Sequence, residues 1–149
     1  MRTLFLCIGN SCRSQMAEGF ARLYGSDVIE AVSAGIEPAW RVDPLTMKVM
    51  LEKNIDLSAA VPKSLDGVNS APFDLIVNIS GVHISGRVPV ETWDVRDPVN
   101  QSEKVFRDVA DQIEHLVMNL ILRLRRDAKK AKKATEARET PAPAPQFDT

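Results

Sequence analysis

Cys7, Cys12 and Arg13 lie close together in the stretch LCIGNSCRSQMAEG, residues 6–19. A cysteine thiolate is a strong nucleophile, and the planar fork of a guanidinium matches two oxygens of a tetrahedral oxyanion. Small polar residues separate the cysteines, which suits a loop folded closely around a ligand. These residue types predict that Cys7 attacks an oxyanion held by the loop and by Arg13.

The flanking segments position this loop. Residues 2–7 are predicted to form a buried strand, and residues 13–24 a helix that ends at Gly25. The first N–H groups of a helix lack partners within it and attract anions. Gly9 is expected to adopt angles forbidden to other residues, and Asn10 a left-handed conformation. We call residues 7–14 the oxyanion loop; its predicted binding residues are Ile8, Gly9, Asn10, Ser11, Cys12, Arg13 and Ser14.

The rest of the chain alternates between strand and helix patterns. Further strands are predicted over 27–33, 73–80 and 88–95, a helix over 45–53, and a long amphipathic helix behind a capping box formed by Asn100 and Glu103. Such alternation predicts a parallel sheet with helices on both faces.

Composition limits the class of protein. The 149 residues are 44% hydrophobic and 26% charged, with a net charge of −1, as in one globular domain. The low net charge and short apolar runs predict neither nucleic-acid binding nor membrane attachment. The two cysteines form no disulfide framework, so a cytoplasmic location is expected. The domain is predicted to span 1–126, and the basic, Pro-Ala-rich segment 127–149 to be frayed helix and then disorder.

Other interpretations of the cysteines are possible. Cys7 could be a buried structural residue beside a helix-capping Arg13. A zinc site would need His83 and His115, which do not have the spacing of zinc ligands. No metal and no cofactor are therefore expected.

Several short motifs match one family. The run from Cys7 to Ser14 continues as Gln15-Met16-Ala17-Glu18, and further matches are Ser33-Ala34-Gly35, Asp43-Pro44 and Asp97-Pro98. Over about residues 1–126 the chain resembles the low-molecular-weight protein tyrosine phosphatases, which include the thioredoxin-coupled arsenate reductases. The resemblance implies a flavodoxin-like three-layer α/β/α sandwich with a four-stranded parallel sheet.

The resemblance also implies roles for single residues. Cys7 would be the nucleophile, Arg13 would bind the oxyanion, Ser14 would donate to the thiolate and Asn10 would brace the loop. Asp97 would protonate the leaving oxygen and then activate water. An ordinary turn at Asp97-Pro98, with Asp94 as a competing carboxylate, is the alternative.

Three further positions carry expectations from the family. Trp40 matches an aromatic wall beside the substrate, or is a packing residue. Cys12 matches a second loop cysteine that can pair with Cys7 on oxidation, or is a small residue filling the loop. Some reductases bind potassium at positions matching Asn10, Glu18 and Ser33, where the ammonium of Lys63 could replace the ion.

The predicted function is phosphomonoester hydrolysis through a phosphocysteine on Cys7, with Asp97 as general acid and base and without metal. The alternative is an arsenate reductase that uses an external thiol donor, because the loop after the third strand (VHISGRV) contains no cysteine for the family's thiol relay. Gln15 favours the reductases, since typical phosphatases have proline there. The substrate would be a phosphomonoester, a phosphoprotein or arsenate. A non-catalytic oxyanion-binding module is a third possibility.

Overall fold

The computed structural model describes residues 1–139, and a parallel sheet forms their centre. Its strands are β1 (Arg2–Cys7), β2 (Glu30–Gly35), β3 (Leu75–Asn78) and β4 (Val90–Thr92), in the order β2-β1-β3-β4. All three pairings are parallel. This topology confirms the predicted flavodoxin-like fold. It places Cys7 at the carboxyl end of an interior strand, where open α/β sheets bind ligands.

Helices cover the two faces of the sheet unequally. They are α1 (Arg13–Tyr24), α2 (Pro44–Glu52), α3 (Leu65–Val68) and α4 (Glu103–Glu139). Phe5 of β1 belongs to the large core shared with α1, α2 and α4, whereas Leu4 and Leu6 pack with Val68 of α3 in a smaller cluster. Neighbouring residues of a strand point to opposite faces, so β1 contributes to both cores.

The predicted strands over 73–80 and 88–95 are shorter in the structure, as β3 and β4, and two further predicted features are wrong for local reasons. Strand β2 begins at Glu30 and not at residue 27, because Val28 N and Ile29 N both donate to Gly25 O in a turn. The capping box is absent in residues 1–139: Asn100 has a φ of 64°, and Ser102 Oγ instead accepts from Val105 N at 3.4 Å. Helix α3 was not predicted, since its four residues are too few for a periodic pattern.

The C-terminal helix is longer than the core requires. Helix α4 buries apolar residues as far as Leu124 and continues to Glu139, with no buried residue from Arg125 onward. Of the segment 127–149, predicted to be frayed helix and then disorder, residues 127–139 continue α4 and the rest lies outside the described residues; the domain boundary at residue 126 stays a prediction. Among residues 1–139 no helix is long and apolar enough to cross a membrane. The cytoplasmic location also stays a prediction.

Candidate active site

The oxyanion loop connects the end of β1 to the start of α1. Cys7 is the last residue of β1, and α1 begins at Arg13. Cys12, the N-cap residue, makes no side-chain capping bond within the described residues. The N-terminal amides of α1 are therefore free to bind an anion at the position that the sequence predicts.

Gly35 lets the end of β2 lie directly against this loop. In the sheet register it is opposite Cys7. A Cβ atom on Gly35 would lie 2.7 Å from Ile8 O and 2.8 Å from Asn10 N, both of them backbone atoms. Neither atom could move without distorting the loop. The Ser-Ala-Gly motif thus reflects a close approach of two backbones.

A chain of hydrogen bonds leads to the Cys7 sulfur. Ser14 Oγ lies 2.8 Å from Cys7 Sγ, and Asn10 Nδ2 donates to Ser14 Oγ at 2.7 Å. The backbone N–H of Asn10 also points at the sulfur, at 3.3 Å. Since Asn10 Nδ2 already donates to Ser14 Oγ, the Ser14 hydroxyl hydrogen is free for the sulfur. Both contacts then present donors to Cys7, as a thiolate requires.

The Asn10 side chain has one possible orientation. Its Oδ1 accepts from Lys63 N at 2.9 Å and from Gln15 Nε2 at 3.0 Å. A backbone N–H can only donate, so the atom facing Lys63 must be the oxygen and the amide nitrogen must face Ser14. Lys63 and Gln15 therefore determine which group donates to Cys7 although neither touches it.

The loop's unusual backbone geometry is located at Asn10. Its φ is 50°, in the left-handed region, as predicted. The same expectation for Gly9 is wrong, because Gly81 is the glycine with positive φ among residues 1–139. A Cβ on Gly9 would make ordinary contacts, the nearest being Ser11 Oγ at 3.4 Å. The asparagine side-chain hydrogen bonds hold the turn that the sequence assigned partly to glycine.

Arg13 brings the distant Asp97 to the loop. Its Nη1 donates to Ile79 O at 2.7 Å and to Val95 O at 3.1 Å, so the carbonyls after β3 and β4 hold the buried guanidinium. Its Nη2 lies 3.6 Å from Asp97 Oδ2. The other carboxylate oxygen, Oδ1, accepts from Val99 N at 3.1 Å in a turn. Asp97 therefore belongs to the turn and to the site at once, because Oδ1 makes the turn contact and Oδ2 faces Arg13.

A cavity of about 250 Å³ opens above Cys7. Its lining residues are Cys7, Ile8, Gly9, Ser11, Cys12, Arg13, Ala39, Asp97 and Val99. Of the two candidate carboxylates, Asp97 lines this cavity and Asp94 does not. Among the described residues Ala39, and not its neighbour Trp40, forms that part of the wall. Trp40 is 82% exposed beside the site, so its role as a substrate wall stays a prediction.

The two cysteines differ in environment. Both are free and buried thiols, Cys7 2% and Cys12 3% exposed, so they differ in their neighbours and not in burial. Burial raises the pKa of the Cys12 thiol to about 11, and the negative charge of Asp43 adds to the effect. Cys12 is therefore a protonated thiol at neutral pH and a poor nucleophile.

Lys63 supplies a positive charge behind the loop. Its Nζ lies 3.5 Å from Ser33 Oγ and 4.0 Å from Glu18 Oε1, and the same oxygen accepts from Ser33 N at 3.1 Å. The ammonium therefore lies among the positions matching the potassium site of some relatives. Glu18 Oε1 thus lies near two cations of the chain, Lys63 at 4.0 Å and Arg22 at 3.4 Å, and replacement of potassium by the Lys63 ammonium stays a prediction. Residues 1–139 contain no cluster of three or more His, Cys, Asp or Glu that could hold a metal.

Sequence reasoning missed part of this arrangement. Gln15 was noted only as a marker of the reductases, yet it is fully buried and bonded to Asn10. Its position directly after the Arg-Ser pair was the available signal. Ala39 and Val99 line the cavity without any signal in residue type.

The fold, with a loop of the pattern Cys-x5-Arg at the carboxyl end of a parallel strand, defines a class of enzyme. The sequence model for low molecular weight phosphotyrosine protein phosphatases matches residues 2–130, and the chain belongs to this family.

Named relatives divide this family by activity. A glutaredoxin arsenate reductase from Synechocystis sp. is 35% identical over 129 residues, covering 83% of this chain and 98% of the relative. A solved arsenate reductase in its phosphate-binding state superposes with a TM-score of 0.74 at 35% identity, covering 83% of this chain and 98% of that one. The YwlE arginine phosphatase from Geobacillus stearothermophilus has a TM-score of 0.75 at 24% identity, covering 87% and 96%, and shares the fold. The relatives favour arsenate reduction, the alternative, over the phosphatase activity placed first from the sequence.

Proposed function

We propose that this protein is an arsenate reductase whose electrons come from an external thiol. The observation that carries the proposal is that the chain has only two cysteines, of which Cys7 lies under a cradle of donors and Cys12 is buried as a thiol of raised pKa. The similarity to named arsenate reductases supports the same conclusion.

The first step is attack of the Cys7 thiolate on arsenate. The main-chain amides of the oxyanion loop and the Arg13 guanidinium hold the arsenate oxygens. A sulfur–arsenic bond forms, an arsenic–oxygen bond breaks, and the oxygen leaves as water. Asp97 lines the same cavity and is suited to protonate that oxygen.

The second step needs a nucleophile that this chain does not supply. The segment after β3 has Ser80, Gly81 and Val82, and Ser80 Oγ is bonded to Asn78 Oδ1 at 2.5 Å. An external thiolate attacks the Cys7 sulfur, a disulfide bond forms, and the sulfur–arsenic bond breaks. Its electron pair stays on arsenic, which leaves as arsenite. A second external thiol then reduces the mixed disulfide and restores Cys7.

The test is production of arsenite from arsenate by the full chain, supplied in turn with glutathione, with a glutaredoxin system and with a thioredoxin system. Cys7→Ser should form no arsenite, whereas Cys12→Ala should keep most of the activity. Absence of arsenite with all donors would refute the proposal. Loss of arsenite formation in a folded Cys12→Ala variant that still binds arsenate would instead make Cys12 the resolving thiol.

Hydrolysis of phosphomonoesters is the second candidate. It is favoured by the position of Asp97, whose Oδ2 lies 3.6 Å from Arg13 Nη2 beside the Cys7 cavity. Turnover of p-nitrophenyl phosphate that Cys7→Ser abolishes would support it. The ratio of arsenate reduction to ester hydrolysis in one preparation decides which activity dominates.

A further inference from the structure

The loop that follows β2 runs beside the oxyanion loop and is held to it by backbone hydrogen bonds. Ala39 N donates to Gly9 O at 2.9 Å, and Asp43 N donates to Ser11 O at 3.1 Å. Residues 40–42 therefore lie between two anchor points on the oxyanion loop. Of these residues Val42 is buried, whereas Trp40 is exposed, and Ala39 forms part of the cavity wall. Trp40 and Arg41 are accordingly exposed residues of a loop that borders the active-site cavity at Ala39.

Arg41 is stacked on its neighbour. Its Cζ lies 4.5 Å from the centroid of the Trp40 ring, and both side chains face solvent. Stacking uses the flat face of the guanidinium and leaves the N–H groups at its edge free to bind an acceptor. The structure records no ion pair and no hydrogen bond from the Arg41 guanidinium to any residue in 1–139. Some exposed arginines have carboxylate partners, such as Arg107 with Glu52 and Arg125 with Asp27, whereas Arg126, like Arg41, has none among residues 1–139.

An oriented but unpaired guanidinium beside a site is suited to binding a carboxylate. Arsenate itself has closer partners, because the oxyanion loop and the buried Arg13 face the bottom of the cavity. The second reactant of the proposed reaction must approach the Cys7 sulfur through the open side of the cavity, and the loop that carries Arg41 borders that cavity at Ala39. Arg41 is thus placed to select the thiol donor and not the oxyanion.

We propose that Trp40 and Arg41 form a subsite for a small thiol that carries a carboxylate, such as a cysteine-containing peptide. The guanidinium edge binds the carboxylate, and the exposed indole packs against the peptide chain, so that the thiol reaches Cys7. This proposal rests on the arsenate reductase function proposed above and identifies the kind of donor that the site accepts.

The subsite can be tested without arsenate. Oxidised glutathione reacts with the Cys7 thiolate to give a Cys7–glutathione disulfide and one released glutathione thiolate, the reverse of the step that restores the enzyme. The rate is measured by mass spectrometry of the intact chain. Bis(2-hydroxyethyl) disulfide undergoes the same exchange but carries no carboxylate, and it serves as the matched reagent.

Arg41→Met should slow the reaction with oxidised glutathione about fivefold at low salt, since an exposed ion pair contributes modestly and is screened by salt. The reaction with the hydroxyethyl disulfide should be unchanged, and Arg41→Lys should recover part of the rate. Arg126→Met, at an exposed position of α4, is the control and should react like the wild type. In arsenate reduction, Arg41→Met should raise the KM for glutathione and leave the KM for arsenate unchanged.

Different failures identify different errors. Equal slowing of both disulfides, or no slowing of either, would overturn the subsite. Arsenite formation with a glutaredoxin or thioredoxin protein but not with glutathione would overturn it as well, because the donor would then be a protein. Absence of arsenite with any donor, with the Arg41 effect on oxidised glutathione intact, would refute the proposed function and not the carboxylate site.

Discussion

Asn10 Nδ2 donates to Ser14 Oγ over 2.7 Å, and the same hydroxyl lies 2.8 Å from Cys7 Sγ. Because Asn10 Oδ1 is bonded to the backbone N–H of Lys63, the amide cannot turn round without losing that bond. The Ser14 hydrogen is therefore directed at the sulfur by residues that the substrate never meets. The reactivity of Cys7 should depend on these outer residues as well as on Arg13.

Gln15→Met tests this dependence. Methionine nearly matches the volume of the buried side chain but cannot donate to Asn10 Oδ1, so the Asn10 amide is held less firmly. We expect the rate of Cys7 alkylation by iodoacetamide at neutral pH to fall about fivefold, the equivalent of one hydrogen bond. Thr3→Val, also at a fully buried position, is the control. An unchanged alkylation rate in a folded Gln15→Met protein would show that the hydrogen bond from Lys63 N alone is enough to hold the Asn10 amide.

Asp97→Asn should separate chemistry from binding. The amide keeps the shape of the turn but cannot protonate a leaving oxygen, so hydrolysis of an alkyl phosphate should slow about 100-fold or more. The inhibition constant for phosphate should change little. Asp94→Asn, outside the cavity, should leave both values unchanged. If the two variants slowed hydrolysis equally, Asp97 would not be the general acid.

Cys12 should make stability depend on alkaline pH. The pKa of its thiol is raised to about 11 in the folded state by burial, so above the ordinary thiol pKa the unfolded chain loses the proton first. The folded state is then disfavoured as pH rises, by roughly 2 kcal/mol between pH 9 and pH 11. Urea unfolding across this range should show a smaller decline for Cys12→Ala than for the wild type. If the free energy of unfolding declined equally with pH in the two proteins, a raised pKa of Cys12 would be contradicted.

Lys63→Met tests whether the Lys63 ammonium balances the negative charge of Glu18. Glu18 Oε1 would keep Ser33 N and Arg22 but lose the cation 4.0 Å away, at a cost of about 1 kcal/mol in the free energy of unfolding. We expect KCl to raise the melting temperature of the variant above its value in choline chloride of equal ionic strength. The wild type and Lys104→Met, whose ion pair is exposed, should show no such difference. If potassium specifically raised the melting temperature of the wild type, the Lys63 ammonium would not occupy the place of a potassium ion.

The parts of the site predicted correctly are contiguous in the chain. β1, the oxyanion loop and α1 follow one another within residues 2–24, so strand pattern, small residues and helix pattern were enough to place Cys7 beside Arg13. The left-handed conformation of Asn10 was predicted for the same reason, whereas the unusual backbone angles predicted for Gly9 were wrong. Hydrogen bonds within local turns determine where β2 begins and how the start of α4 is capped. Hydrophobic periodicity does not detect such bonds, so both predictions were wrong.

The sequence by itself determined the nucleophilic loop and the parallel α/β fold, since short-range backbone preferences and alternating apolar patterns specify both. Tertiary structure alone decided which distant groups meet there. Crossover connections bring Asp97 to Arg13, and the loop after β2 brings Ala39 to the cavity wall. It also decided that Cys7 lies against the Ser14 hydroxyl and the Asn10 N–H, and that burial raises the pKa of the Cys12 thiol, because these effects depend on everything packed against a side chain.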